Sequence, residues 1–115
     1  MDNFDKDMQC QVDAVYEELA KLYEGDEDDE NGDVYGVSEW FSFEVLDNEY
    51  TFSSNMEYLG ARIYVTLGGP TVYVDTRNRE IVCHWGTETV KRWCPSEFCD
   101  MLDEYIEECI EFNFQ

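Results

Sequence analysis

The sequence predicts an α+β fold: an N-terminal helix, an antiparallel sheet of four to five strands, and a C-terminal helix packed on one face. Three observations carry this. Apolar residues recur at steps of three and four near both ends of the chain, and at steps of two between them. Turn signals separate the alternating segments. At 115 residues the chain suits one domain, 1–115, with one core.

The first helix is expected over 2–24. Phe4, Met8, Val12, Val15, Leu19 and Leu22 fall on one face. Asp2 or Asn3 is placed to cap it and Gly25 to end it, while Asp5, Asp13, Glu17, Glu18 and Glu24 lie mostly off the apolar stripe. An acidic loop is expected over 26–37; its run Asp26-Glu27-Asp28-Asp29-Glu30-Asn31-Gly32-Asp33 has no apolar residue and no periodicity.

The sheet is expected over 38–93. In Trp40 to Leu46, Phe41, Phe43 and Val45 alternate with Ser42 and Glu44, which reads as a strand. Asp47-Asn48 then reads as a turn and Glu49 to Phe52 as the returning strand. Ala61, Ile63, Val65 and Leu67 alternate with Arg62, Tyr64 and Thr66 as a third, ended by Gly68-Gly69-Pro70. Thr71–Asp75 and Glu80–Trp85 form a hairpin across Thr76-Arg77-Asn78-Arg79, and Thr89–Trp93 is an edge strand. The last helix is expected over 95–112, with Pro95 in its first turn and Ser96 or Cys94 as cap. Phe98, Leu102, Tyr105, Cys109 and Phe112 form its stripe, widened by Met101, Ile106 and Ile110.

Charge sets the functional reading. Twenty-eight acids against seven bases give a net charge of −21. Residues 1–60 hold 18 acids and 2 bases, residues 61–95 hold 3 and 5, and residues 96–115 hold 7 and none, so −16, +2 and −7 sum to −21. Direct phosphate binding through basic clusters is not expected, because seven bases cannot outweigh that field. An aromatic fraction of 16 % argues for folding rather than for a disordered acidic tail. No apolar run reaches the roughly 18 residues of a membrane helix. The acidic start does not read as a signal peptide, and five irregularly spaced cysteines read as unbridged thiols of a cytoplasmic protein.

No motif points to catalysis or a cofactor. Glu27-x-Asp29-x-Asn31-Gly32 approaches a calcium loop, but Ser38 stands where a bidentate glutamate is needed. Cys83, His84, Cys94 and Cys99 lack a Cys-x-x-Cys pair, and Cys83 and His84 point to opposite faces of a strand, so no metal is expected. His84 is the lone histidine, and there is no nucleophile elbow or phosphate loop.

The charge itself remains. A small domain needs a net charge of only about 2–8 for solubility. Two acidic surfaces are candidates for partner binding: Asp26, Glu27, Asp28, Asp29, Glu30 and Asp33 in the loop, and Glu97, Asp100, Glu104, Glu107, Glu108 and Glu111 on the last helix. Acids three and four apart on a helix approach the linear charge density of nucleic acid, so the expected partner is a basic nucleic-acid-binding protein. The ordered helix is expected to set affinity and the loop to steer association.

In its size, its −21 charge, the Asp26–Glu30 run and the acidic last helix, the chain resembles the small anti-restriction and anti-CRISPR inhibitors of phages and mobile elements. Leu67-Gly68-Gly69-Pro70, Val72-x-Val74-Asp75-Thr76 and Ile81-Val82-x-x-Trp85-Gly86 are also similar to a pattern in small proteins of Firmicutes mobile elements. The resemblance implies a non-enzymatic DNA mimic in the bacterial cytoplasm, monomer or homodimer, that occupies the nucleic-acid site of a CRISPR effector or a restriction enzyme. The alternatives are an immunity protein against a basic nuclease toxin and a small acidic interaction module of a mobile element.

Overall fold

The computed structural model describes residues 2–25 and 36–114, with side chains for 7–25 and 36–110. The elements run α1 (Asp2–Glu24), α2 (Val37–Phe43), β1 (Asp47–Phe52), β2 (Tyr58–Thr66), β3 (Thr71–Asp75), β4 (Glu80–Trp85), β5 (Glu88–Trp93) and α3 (Ser96–Phe114). The strands form one antiparallel sheet in the order β1-β2-β3-β4-β5. The expected α+β class is what the molecule has, with the helices packed against the sheet.

Alternation along each strand decides which side chains meet the helices. Ala61, Ile63, Val72, Val74, Ile81 and Cys83 face them and join one buried cluster with Met8, Val12, Val15, Leu19 and Leu22 of α1 and Phe98, Leu102 and Ile106 of α3. α1 lies over β4 and β5 and α3 reaches β2, so the core fills the space between the helices and one face of the sheet. The five α1 residues are those expected from its periodicity. Gly25 ends the helix with φ +72° and donates its N–H to Lys21 O at 3.0 Å, the left-handed stop that glycine adopts without Cβ strain.

Residues 37–43 correct the expectation of a strand over Trp40 to Leu46: they form a helix. The segment satisfies both periods, and the helical one places Val37, Trp40 and Phe41 together on its inner side. Trp40 decides the outcome. It is buried, donates its indole N–H to Glu18 Oε2 of α1 at 3.1 Å, and holds Phe41, which stacks on Tyr105 of α3 at 4.6 Å between ring centroids. Phe43, which the strand reading would have buried, is 74 % exposed. The Gly36 N–H donates to Glu39 Oε2 at 3.0 Å at the helix start. Asp47 and Asn48 are likewise not a turn; they open β1, opposite Tyr64 and Ile63.

The hairpin is as expected. Asp75 accepts from Arg77 N–H (3.1 Å), Asn78 N–H (2.9 Å) and Asn78 Nδ2 (3.0 Å), which closes the turn from within. The turn folds back on β2, where a side chain at Gly60 would strike Arg77 Cβ at 2.7 Å. In α3 two expectations change. Neither Ser96 nor Cys94 caps the helix by its side chain: the Pro95 carbonyl accepts the first bonds, from Phe98 N–H at 3.0 Å and Cys99 N–H at 3.2 Å. The buried stripe also turns toward Phe98, Cys99, Leu102 and Ile106, leaving Tyr105 half-buried and Cys109 exposed, because this face meets both α1 and the sheet. The Phe4 and Phe112 side chains lie outside the described residues.

Candidate functional site

Of the twelve expected site residues, Asp26, Glu27, Asp28, Asp29, Glu30 and Asp33 lie outside the described residues, as does the calcium-like loop around them. Glu111 belongs to α3, but its side chain is not described. The other five, Glu97, Asp100, Glu104, Glu107 and Glu108, are all exposed on α3. At 100° per residue they fall within an arc of about 100°, and they span ~16 Å of helix axis. Among the described residues none forms an ion pair with a base; Glu97 accepts a hydrogen bond from Ser96 Oγ at 3.2 Å.

The seventh acid of this segment behaves differently. Asp103 faces the sheet, half-buried, and accepts from Tyr58 Oη at 2.6 Å. Burial raises its pKa above the ordinary carboxylate value, although the Tyr58 hydrogen bond opposes the shift. Burial, followed by the neighbouring carboxylate, pushes the Tyr58 phenol well up. This pair fixes the roll of α3 on β2, so the exposed acids point away from the core.

Between α1 and α3 lies a cleft of about 390 Å³ lined by Tyr23, Met101, Glu97, Asp100 and Glu104. Tyr23 is 53 % exposed and rests against Phe98 at 5.5 Å between centroids, with the rings tilted by 48°. Two turns earlier on the same helix, Tyr16 packs on the same Phe98, also at 5.5 Å. The Arg92 guanidinium covers Tyr16 at 3.7 Å from its centroid and bonds Asp13 at 2.6 Å. Gln9 and Arg92 together hold the Asp13 carboxyl below its usual range, with the Gln9 hydrogen bond (3.0 Å) the larger influence. Tyr16 therefore sits in a completed arrangement of ring, arginine and carboxylate.

The face of the sheet away from the helices has another character. Tyr64, Tyr73 and His84 form a ladder across β2, β3 and β4, with centroids 5.2 and 5.6 Å apart. Tyr73 Oη lies 3.3 Å from His84 Nε2, and His84 Nδ1 lies 2.8 Å from Thr89 Oγ1. Tyr64 Oη donates to Glu49. Arg62 pairs with Asp75 at 3.6 Å and covers Tyr73 at 5.2 Å, and Lys91 pairs with Glu80 at 3.7 Å. Sequence reasoning did not single out this ladder. Register sets Tyr64 opposite Tyr73 and places His84 diagonally, two residues along β4 from the Val82 that stands opposite Tyr73.

Cys83 packs in the core while His84 lies on the far face, and Cys94 and Cys99 are buried together where β5 meets α3. Contact with Cys99, then burial, pushes the Cys94 thiol well up, so this thiol is unreactive. All five cysteines are free thiols. Among the described residues no group of three or more His, Cys, Asp or Glu is placed to hold a metal ion, and no helix is long and apolar enough to cross a membrane. No family model, curated protein or solved structure matches the chain.

Proposed function

We propose that the chain is a non-enzymatic acidic inhibitor that binds the nucleic-acid-binding surface of a bacterial defence nuclease. A CRISPR effector is the favoured target and a restriction enzyme the next. One observation carries the reading: five exposed carboxylates stand along one side of α3 without an ion-pairing base among the described residues. Their mean axial spacing of ~4 Å is close to the ~3.4 Å per phosphate of one B-DNA strand. The helix holds them in place, so little order is lost on binding. Folding gains nothing from such a row, since like charges three and four residues apart repel.

The test is displacement. The full chain is titrated into a CRISPR effector nuclease, and separately into a restriction enzyme, each prebound to labelled DNA. The chain is expected to release the DNA from one of them, with the effect weakening steeply between low and moderate salt. A variant carrying Asp100→Asn, Glu104→Gln, Glu107→Gln and Glu108→Gln should need on the order of tenfold more protein for the same release, while its unfolding midpoint stays equal or rises. Undiminished release by this variant would remove α3 from the interface. A ternary complex retaining the DNA would end the mimicry reading.

A further inference from the structure

We infer that the α1–α3 cleft is an arginine-receiving pocket, in which Tyr23 takes the guanidinium of a basic partner. The inference deepens the proposed function and rests on it.

The argument begins with Tyr16. Its ring has Phe98 on one side and Arg92 over its face, and Asp13 holds the guanidinium from the flank. Tyr23 follows seven residues later, so it stands on nearly the same side of α1, ~10 Å further along the axis. It packs on the same Phe98 at the same 5.5 Å. Three carboxylates, Glu97, Asp100 and Glu104, line the cleft beside it, and Met101 supplies an apolar floor. The components around Tyr16 are thus repeated around Tyr23, apart from the cation: among the described residues no arginine or lysine lies over this ring. Tyr23 is 53 % exposed, so its ring is open to a cation from solvent.

The chemistry selects arginine over lysine. A guanidinium is planar, stacks on an aromatic face, and still presents N–H groups at its edge to carboxylates. An ammonium is a compact, strongly hydrated point charge and fits this layered arrangement less well. A cleft of about 390 Å³ has room for one such side chain with its stem along Met101.

The experiment uses the full chain and two synthetic decapeptides of equal charge, deca-arginine and deca-lysine, followed by calorimetry at low salt. The wild-type chain should bind deca-arginine more tightly than deca-lysine by about threefold or more. Tyr23→Leu, which keeps an apolar side chain but removes the ring, should abolish the difference, and Tyr23→Phe should retain it. A second measurement needs no variant: deca-arginine should shift the Tyr23 ring protons in the NMR spectrum of the wild-type chain and leave those of Tyr50 in place. An arginine preference that survives Tyr23→Leu, or Tyr23 signals that do not move, would overturn the pocket while leaving the acidic-surface reading intact. Failure of both peptides to bind would overturn the pocket and the acidic-surface reading together.

Discussion

The two faces of the sheet use the same five strands for opposite purposes. On the helix-covered face the rungs are apolar and the seal is made by α1 and α3. On the open face the rungs are rings and paired charges, and they close over each other: Val82, which points away from the helices, is only 1 % exposed. Five of the chain's seven bases lie in residues 61–95, and three of these are held in ion pairs, Arg62 with Asp75, Lys91 with Glu80 and Arg92 with Asp13. The difference teaches where neutralisation happens. Opposite charges meet around the sheet, while the carboxylates of α3 are left uncompensated among the described residues.

Register offers a direct way to break this comparison, since Ile81 stands opposite Arg92 and Val82 opposite Lys91 on the same pair of strands. Ile81→Ala opens a cavity under α1 and should cost about 2–5 kcal/mol in chemical denaturation. Val82→Ala removes two methyl groups, a transfer loss of ~1.6 kcal/mol, and its cavity cost stays small where the open-face side chains close over the gap. Equal losses would mean that both faces are cores of the same kind.

The charged partners sharpen the same contrast at smaller scale. Arg92→Met keeps the stem but removes the guanidinium from Tyr16 and Asp13, and should lower stability by about 1 kcal/mol. Lys91→Met breaks an exposed pair and should change it by less than about 0.5 kcal/mol. A larger loss at Lys91 would move the structural weight to the open face.

The smallest expected effect is a pH dependence at Asp103. Burial raises its native pKa above the unfolded value of 3.8, so the native state holds this proton more tightly. The resulting stabilisation is fully present below the unfolded pKa and is lost as pH rises through the raised native value. Asp103→Asn removes that component and keeps an oxygen for the Tyr58 hydroxyl. Unfolding free energies measured from pH 3 upward should therefore fall more steeply for the wild type than for the variant; parallel curves would show that Asp103 titrates as a solvated acid.

Much of this was legible in the residue order, and the exceptions have physical causes. α1 was readable because its apolar residues occupy a single stripe and Gly25 ends it. The hairpin was readable because Asp75 and the four turn residues interrupt a clear alternation. α2 was not, because Val37 to Val45 fits both periods, and the choice depends on Trp40 reaching Glu18, 22 positions away. The roll of α3 was not fixed either. Apolar residues from Phe98 to Ile110 cover more than one face, and only contact with β2 and α1 selects among them. The exposed acids of α3 could be named in advance, but the cleft could not: Tyr23 and Glu97 are 74 positions apart in the chain. Nothing local to either marks them as neighbours.

The placement of α1 over β4 and β5 also sets an order of events at the ribosome. The helix is made before these strands, and the second of them ends at Trp93, 69 residues after Glu24. At about 5–20 residues per second, translation needs ~3–14 s to deliver that strand. During this interval the apolar stripe from Met8 to Leu22 has no sheet to cover it. The strands, by contrast, pair in sequence order, and each hairpin can close as soon as its second strand emerges. α1 is thus completed later than the strands it covers, and the net charge of −16 over residues 1–60 disfavours association through its uncovered stripe.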